Sequence, residues 1–185
     1  MLYDADTQLM LDFQKGDEKS FETLMGTYLP RIANTIYRYT GSNADAEDIA
    51  QEVFLRVYRS KDNFKPEAKF STWLYTIVTR LCLNELRNRG RHKLQRMPEE
   101  FDLEDKNTLL EHKPFENAEQ TELAACIKKA LDELPENQRI AVILNKWDNL
   151  SYEEIAGTMG ITVMAVKSLL SRARENLKEK LRHYI

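Results

Sequence analysis

Apolar residues recur at helical spacing along most of the chain, which predicts α-helices rather than strands. A first short helix is expected from Thr7 to Lys15, ending at Gly16. A second follows, and Pro30 is expected to kink or restart it before it stops at Gly41. The pattern as a whole predicts an all-α fold.

The segment from 45 to 59 has the clearest two-sided pattern in the chain. Ser42 or Asn43 is expected to cap this helix, because both side chains can accept from its first amide groups. The stripe predicted to be buried consists of Ala46, Ile49, Ala50, Val53, Val57 and Tyr58. The opposite stripe consists of Asp48, Gln51, Glu52, Leu55 and Arg59.

Leu55 is a large apolar residue among acids and amides on that second stripe. It is either ordinary surface scatter or the anchor of a protein interface with a polar rim. Asp45, Asp48 and Glu52 could also suggest a metal site. No histidine or partner carboxylate accompanies them, however, so a solvated face is the favoured interpretation.

Residues 60 to 69 are polar and include a proline, which predicts a loop. Ser71 or Thr72 is expected to cap the helix that follows, which runs to about Arg89. One side of this helix carries Tyr75, Thr76, Thr79 and Arg80. Aromatic and polar groups beside cations suit unstacked bases, which bind by stacking and backbone attraction. In the alternative, the aromatic residues of this segment are core residues: Phe70, Trp73 and Tyr75.

Residues 151 to 174 form a predicted helical hairpin. Ser151 and Glu154 are spaced as a capping box, Gly160 can end the first helix, and Thr162 can cap the second. The buried face of the second helix is predicted to hold Val166, Leu169, Leu170, Ala173, Leu177 and Leu181. Its other face carries Met164, Lys167, Ser168, Ser171, Arg172 and Arg174. Such donors and cations suit a DNA major groove, so the hairpin is typical of a helix-turn-helix. An ordinary hairpin with a solvated basic face is the alternative.

Weak periodicity, many charges and two prolines predict a flexible acidic linker over residues 92–116. A helix is expected from 117 to 133, and Pro135 is expected to open the next helix at its first position. The chain therefore divides into two small helical domains, 1–91 and 117–185, with 92–116 between them.

The net charge of -3 is unusual for a protein that would bind DNA, but the charges are segregated. Residues 80 to 96 carry six cations against one acid, and residues 167 to 182 carry six against two. Residues 97 to 122 carry nine acids against two lysines. We expect such a chain to bind DNA poorly alone and to act with a partner.

Composition narrows the functional classes to which the protein can belong. Cys82 and Cys126 lie in apolar helical patterns and are expected to be buried free thiols. The three histidines are His92, His112 and His183, and they show no metal-ligand spacing with the cysteines. No metal, cofactor or small-molecule ligand is therefore expected. No apolar run approaches the roughly 20 residues that span a bilayer, and the start lacks a signal region. A cytoplasmic protein without membrane insertion is expected, and no catalytic constellation can be assembled, so it is not predicted to be an enzyme.

Several sequence blocks resemble a known family. Asp-Ala-Glu-Asp-Ile-Ala-Gln-Glu-Val-Phe-Leu-Arg-Val-Tyr (45–58) and Phe-Ser-Thr-Trp-Leu-Tyr-Thr-Ile (70–77) resemble region 2 of the extracytoplasmic-function (ECF) group of sigma-70 factors. Leu-Pro-Glu-Asn-Gln-Arg (134–139) and the hairpin are similar to region 4. The resemblance implies a bacterial sigma factor that binds core RNA polymerase, directs it to promoters, and joins the nucleoid when in holoenzyme. It also implies an anti-sigma factor as a further partner.

The resemblance assigns roles to three sets of residues. It implies that the clamp helices of the largest polymerase subunit contact Asp45, Asp48, Gln51, Glu52 and Leu55. It implies that the promoter -10 element contacts Asn63, Phe64, Lys69, Phe70, Ser71, Tyr75, Thr76, Thr79 and Arg80. The -35 element would contact Thr162, Val163, Met164, Lys167, Ser168, Ser171, Arg172 and Arg174.

The chain departs from the family pattern at four positions. Arg80 and Asn84 stand where the family usually has Asn and Asp, which leaves the -10 base contact open. Ala165 and Leu169 replace a hydroxyl and a guanidinium of the second hairpin helix. The alternative function is a stand-alone helix-turn-helix regulator whose N-terminal half is a ligand or dimer domain.

Overall fold

The computed structural model describes residues 3–95 and 118–182, and within these ranges the chain is helical without strands. Its helices are α1 (Ala5–Gln14), α2 (Glu18–Thr40), α3 (Asn43–Arg59), α4 (Phe70–Gln95), α5 (Ala118–Asp132), α6 (Glu136–Lys146), α7 (Tyr152–Met159) and α8 (Val163–Lys180). A short 3-10 helix, Lys61–Asn63, lies in the predicted loop. The all-α prediction is confirmed. Most of the predicted linker lies outside the described residues, as do His112 and His183.

Local side-chain caps set several helix ends as predicted. Ser42 caps α3 by accepting from the Asp45 amide. Ser151 and Glu154 form a complete capping box at α7, and Thr162 caps α8 by accepting from the Ala165 amide. Gly160 ends α7 in the left-handed conformation, with a φ of 67°. The helix-turn-helix geometry therefore follows from residues within the hairpin itself.

Helix α2 continues through Pro30, so of the kink or restart expected at this position the restart is wrong. Proline removes one backbone hydrogen bond from a helix. Buried side chains on both sides of it, including Leu24, Tyr28 and Ile32, hold the helix against the core. Tertiary packing therefore outweighs the local cost.

Helix α4 begins at Phe70, so Ser71 and Thr72 lie in its first turn and are not its cap. The Phe70 amide instead donates to the Thr7 hydroxyl at 3.0 Å, which gives α4 a partner from another helix. The helix also extends past the predicted end near Arg89. At α6, Pro135 is the capping residue and the helix starts one position later.

The N-terminal domain packs α1 to α4 around an aromatic and aliphatic core. Phe54 is buried in this core, although it was not predicted to be. Tyr58 was predicted to be buried but is 44% exposed. Its ring still packs on Phe13 and Phe21, while its hydroxyl donates outward to Glu18 at 3.3 Å. Tyrosine is amphipathic, so it can pack with its ring and remain partly in water.

Helix α6 is the centre of the C-terminal domain, since every residue from 138 to 144 is buried. It packs against α7 and α8 of the hairpin. The buried Gln138 accepts a hydrogen bond from Asn176 of α8 at 2.9 Å. The hairpin is therefore held on a rigid apolar helix.

The two domains pack against each other in what we call the closed arrangement. Helix α7 lies on α4, and α6 contacts α2. Gly157 of α7 lies beside Thr72 of α4, where an added Cβ would be in ordinary contact with Thr72 Cγ2 at 3.4 Å. Lys69 and Glu154 form an ion pair of 2.8 Å across the same contact. The surface of α4 in the N-terminal domain therefore faces the hairpin of the C-terminal domain.

Cys82 is buried and Cys126 is half-buried, and the two described cysteines form no disulfide with each other. Burial raises the pKa of the Cys82 thiol well above its ordinary value. In the described part of the chain, no helix is long and apolar enough to cross a bilayer. The same residues contain no cluster of potential metal ligands.

Candidate protein and nucleic-acid interfaces

The second stripe of α3 forms an outward surface with one apolar residue at its middle. Leu55 is 48% exposed, and Gln51 and Asp48 are exposed one and two turns before it, respectively. Glu52 is half-buried and pairs with Arg56 at 2.7 Å on the same helix. Asp45 is also half-buried, in the first turn. An exposed leucine rimmed by polar groups is the arrangement of a protein-binding anchor.

The residues predicted to contact the -10 element fall into two groups. Those at the surface are Asn63, Lys69, Ser71, Thr76 and Arg80, of which Ser71 and Thr76 are half-buried. Those inside are Phe64, Phe70, Tyr75 and Thr79, each no more than 3% exposed. The aromatic alternative is thus correct for Phe70 and Tyr75, while Trp73 is half-buried. Because they are buried, these four inner side chains cannot contact DNA directly in the closed arrangement.

Aromatic packing explains why two of these side chains are inside. The Phe64 and Phe70 rings meet edge to face at 6.3 Å between centroids. Trp73 packs against Phe64 at 5.3 Å and covers the pair. These rings fix the loop before α4 and so position Lys69 and Ser71 at the surface.

The surface of α8 carries the residues predicted to read the -35 element. Met164 is 74% exposed at the start of the helix. Lys167, Ser168, Ser171, Arg172 and Arg174 are exposed, and Thr162 is an exposed cap next to the half-buried Val163. The predicted buried face is fully buried only at Val166, Leu170 and Ala173. Leu169, Leu177 and Leu181 are half-buried.

The two predicted nucleic-acid surfaces meet at one cleft between α4 and the hairpin. The cleft has a volume of about 600 Å³ and is lined by Thr79, Arg80 and Arg87 on one side and Ser168 and Arg172 on the other. Its described lining includes three arginines and no carboxylate. The arginines therefore attract anions to the cleft. Its volume of about 600 Å³ is far too small to hold a DNA duplex while the domains are closed.

Asp148 is a residue that the sequence interpretation missed. It lies between α6 and α7, is 7% exposed, and accepts from Thr35 at 2.7 Å and from Tyr75 at 2.8 Å. Burial raises the pKa of the Asp148 carboxyl, although the two hydroxyls and nearby Arg38 oppose the shift. Its partners are 113 and 73 residues away in sequence, so no local pattern indicates them.

Comparison with known proteins gives the family. A family model described as Sigma-70 region 2 matches residues 24–92, and one described as Sigma-70, region 4 matches residues 124–177. The chain is 34% identical over 185 residues to the ECF RNA polymerase sigma-E factor of Escherichia coli K12, covering 98% of this chain and 96% of the relative. It is 38% identical over 165 residues to the ECF RNA polymerase sigma factor SigE of Mycolicibacterium smegmatis, covering 88% of this chain. The match spans 62% of that mycobacterial relative.

Solved structures agree with this relationship at the level of fold. CnrH in complex with the cytosolic domain of CnrY has a TM-score of 0.72 at 24% identity, covering 97% of this chain and 99% of that one. The sigma factor RpoE of Bartonella quintana, in complex with the anti-sigma factor NepR, has a TM-score of 0.67 at 26% identity, covering 89% and 98%. The chain belongs to the ECF group of sigma-70 family RNA polymerase sigma factors. Its function is therefore promoter-specific transcription initiation.

Proposed function

We propose that the exposed stripe of α3 binds core RNA polymerase at the clamp helices of its largest subunit. The observation that carries this proposal is the 48% exposure of Leu55, with Asp48, Gln51 and Glu52 beside it. A leucine that the fold leaves outside its core can become buried in a partner, and binding energy concentrates in such central residues. Asp45 completes the polar rim at the start of the helix.

We propose further that each domain reads one promoter element. The N-terminal domain, 1–91, would engage the -10 element with Asn63, Lys69, Ser71, Thr76 and Arg80, while Phe64, Phe70, Tyr75 and Thr79 hold these residues in place. The C-terminal domain, 117–185, would engage the -35 element with the exposed face of α8. Residues 92–116 would link the two. The exposed cations on both surfaces support these roles through phosphate attraction.

We infer that the chain performs no catalysis of its own and acts in the bacterial cytoplasm, with the nucleoid when in holoenzyme. An anti-sigma factor is the further partner that we propose. One relative of the same fold, the sigma factor RpoE, was solved in complex with its anti-sigma factor NepR. Such a partner would keep the chain from the polymerase.

Holoenzyme formation by a Leu55→Ala variant tests the α3 interface. We expect the affinity for core polymerase to fall by roughly 1–3 kcal/mol, because truncation empties the centre of the interface. Leu29→Ala is the matched control, since Leu29 is 37% exposed on α2 and lies outside the stripe. Both variants should keep their helical content. Equal affinities for wild type, Leu55→Ala and Leu29→Ala would contradict the assignment, as would an equal loss for both leucines.

A further inference from the structure

Asp148 belongs to the C-terminal domain, but its side chain is hydrogen-bonded to residues of the N-terminal domain. The residue lies in the turn between α6 and α7 of the C-terminal domain. The Thr35 hydroxyl on α2 and the Tyr75 hydroxyl on α4 both donate to its Oδ1 atom, at 2.7 and 2.8 Å. Its Oδ2 atom is buried without a hydrogen-bond partner. The carboxylate is therefore inside the molecule only because the two domains are in contact.

Three further contacts between the domains lie at or near the surface. The Lys69 side chain is 61% exposed in its ion pair with Glu154, and Lys128 donates to the Tyr37 hydroxyl at 3.4 Å in an exposed position. Arg38 stacks over the Trp147 ring at 5.5 Å, and Trp147 is 38% exposed. Water competes for exposed pairs, so they contribute little to holding the domains together.

Removal of the Asp148 carboxylate should weaken the contact between the domains more than the loss of one of these surface pairs. If the carboxylate is removed while the domains remain closed, the Tyr75 hydroxyl loses its partner in a buried site. An unpaired buried polar group is costly, whereas in an open chain the same hydroxyl can bond to water. The closed arrangement therefore depends on this one side chain more than on any of the surface pairs described above.

We propose that Asp148 is a latch residue. Its carboxylate, held by Thr35 and Tyr75, keeps the two domains in the closed arrangement, in which Arg80 and Arg172 face a shared cleft and Lys69 is paired with Glu154. Release of the latch opens the domains and exposes both arginines. The latch itself does not rest on the promoter assignments, because domain opening can be measured without DNA.

Small-angle X-ray scattering of the full chain tests the latch. We expect Asp148→Ala to shift the ratio of closed to open molecules by about tenfold or more towards open, because a buried hydrogen-bonded group is lost. The radius of gyration should rise. Asp148→Asn keeps an oxygen acceptor at the Oδ1 position and should remain as compact as wild type. Glu153→Ala, which removes an exposed carboxylate nearby on α7, should also remain compact.

The Tyr75→Phe variant provides a second measurement, including the case in which Asp148→Ala loses its helical circular dichroism signal. Removing the hydroxyl keeps the ring in the core, so this variant should fold and open partially. In Asp148→Ala molecules that fold, adding Tyr75→Phe should open the chain no further, because both changes break the same bond. The proposal is wrong if Asp148→Ala and Tyr75→Phe both stay as compact as wild type. It is equally wrong if their effects on the radius of gyration simply add.

Discussion

Lys167 and Arg172 are both exposed cations on α8, but they sit at different places in relation to a duplex. Lys167 lies in the first half of the helix near Met164, and the N-terminal part of a recognition helix is the part that enters the major groove. Arg172 lies farther along and lines the cleft. Guanidinium groups at such flanking positions commonly contact phosphates. The two residues are therefore expected to contribute differently to promoter recognition.

We predict that Lys167→Ala in holoenzyme weakens binding to the preferred -35 sequence by about 1–3 kcal/mol and relaxes the preference at one base position. Arg172→Ala should instead weaken binding to all sequences alike and lower the salt dependence by about one phosphate contact. Binding to a promoter library at several salt concentrations distinguishes the two. A uniform loss for Lys167→Ala, with the preferred sequence unchanged, would contradict its role as a base contact.

Not every candidate site residue could be placed from the sequence. The exposure of Leu55 was predictable because a period of 3.6 residues separates the two faces of α3. The burial of Tyr75 was an open alternative, since both a core and a base-stacking role suit a tyrosine. Its partner Asp148 decides the matter, and that contact joins residues 73 positions apart. Periodicity carries no information on such a contact.

At the scale of helices, the start of α4 differs from the other helix starts. Ser42, Ser151 and Thr162 each cap a helix from three residues away, so the sequence pattern predicts them. At α4 the hydroxyl that accepts from the Phe70 amide belongs to Thr7, on α1. The same hydroxyl donates to Asp4 at 2.9 Å. The caps of α1 and α4 are therefore coupled, which places the loop with Lys69 beside α1.

We predict that Thr7→Val destabilises the N-terminal domain by roughly 1–3 kcal/mol, because the buried Phe70 amide loses its acceptor. Thr23→Val is the matched control, since the exposed Thr23 hydroxyl only donates to a backbone carbonyl of its own helix. Urea unfolding followed by circular dichroism gives both free energies. If the two valine variants lose the same stability, the Thr7 hydroxyl does not support α4.

At the scale of the whole molecule, the charge distribution and the packing of the domains both disfavour DNA binding by the free chain. The chain has a net charge of -3, and its cations are concentrated on both sides of the acidic segment 97–122. In the closed arrangement, cations from both domains line one cleft. A duplex cannot enter it, so both the charge balance and the closed arrangement disfavour binding by the free chain. Binding to polymerase would supply the energy to separate the domains.

The closed arrangement should become more stable as the pH falls from neutral towards the raised pKa of Asp148. In an open chain this carboxyl is solvated and keeps its ordinary pKa, whereas burial raises the pKa in the closed chain. Protonation therefore favours the closed state, and the stabilisation is lost as the pH rises through the raised pKa. Besides the Thr35 and Tyr75 hydroxyls, the charged groups that act on it are Arg38 and Arg31 of α2. Both oppose the pKa shift without changing its direction.

The ion pair at the edge of the interface acts in a different pH window. The Lys69 ammonium holds the pKa of the Glu154 carboxyl below its ordinary value of 4.5, so its contribution is complete above that pH and is lost only in more acidic solution. Histidines also titrate as the solution becomes acidic, so the contribution of Asp148 is isolated by comparing wild type with Asp148→Asn in scattering measurements from neutral pH downwards. We predict that wild type becomes more compact over this range and that Asp148→Asn, which cannot titrate, shows a smaller change. Identical pH dependence in the two proteins would show that another group controls the closure.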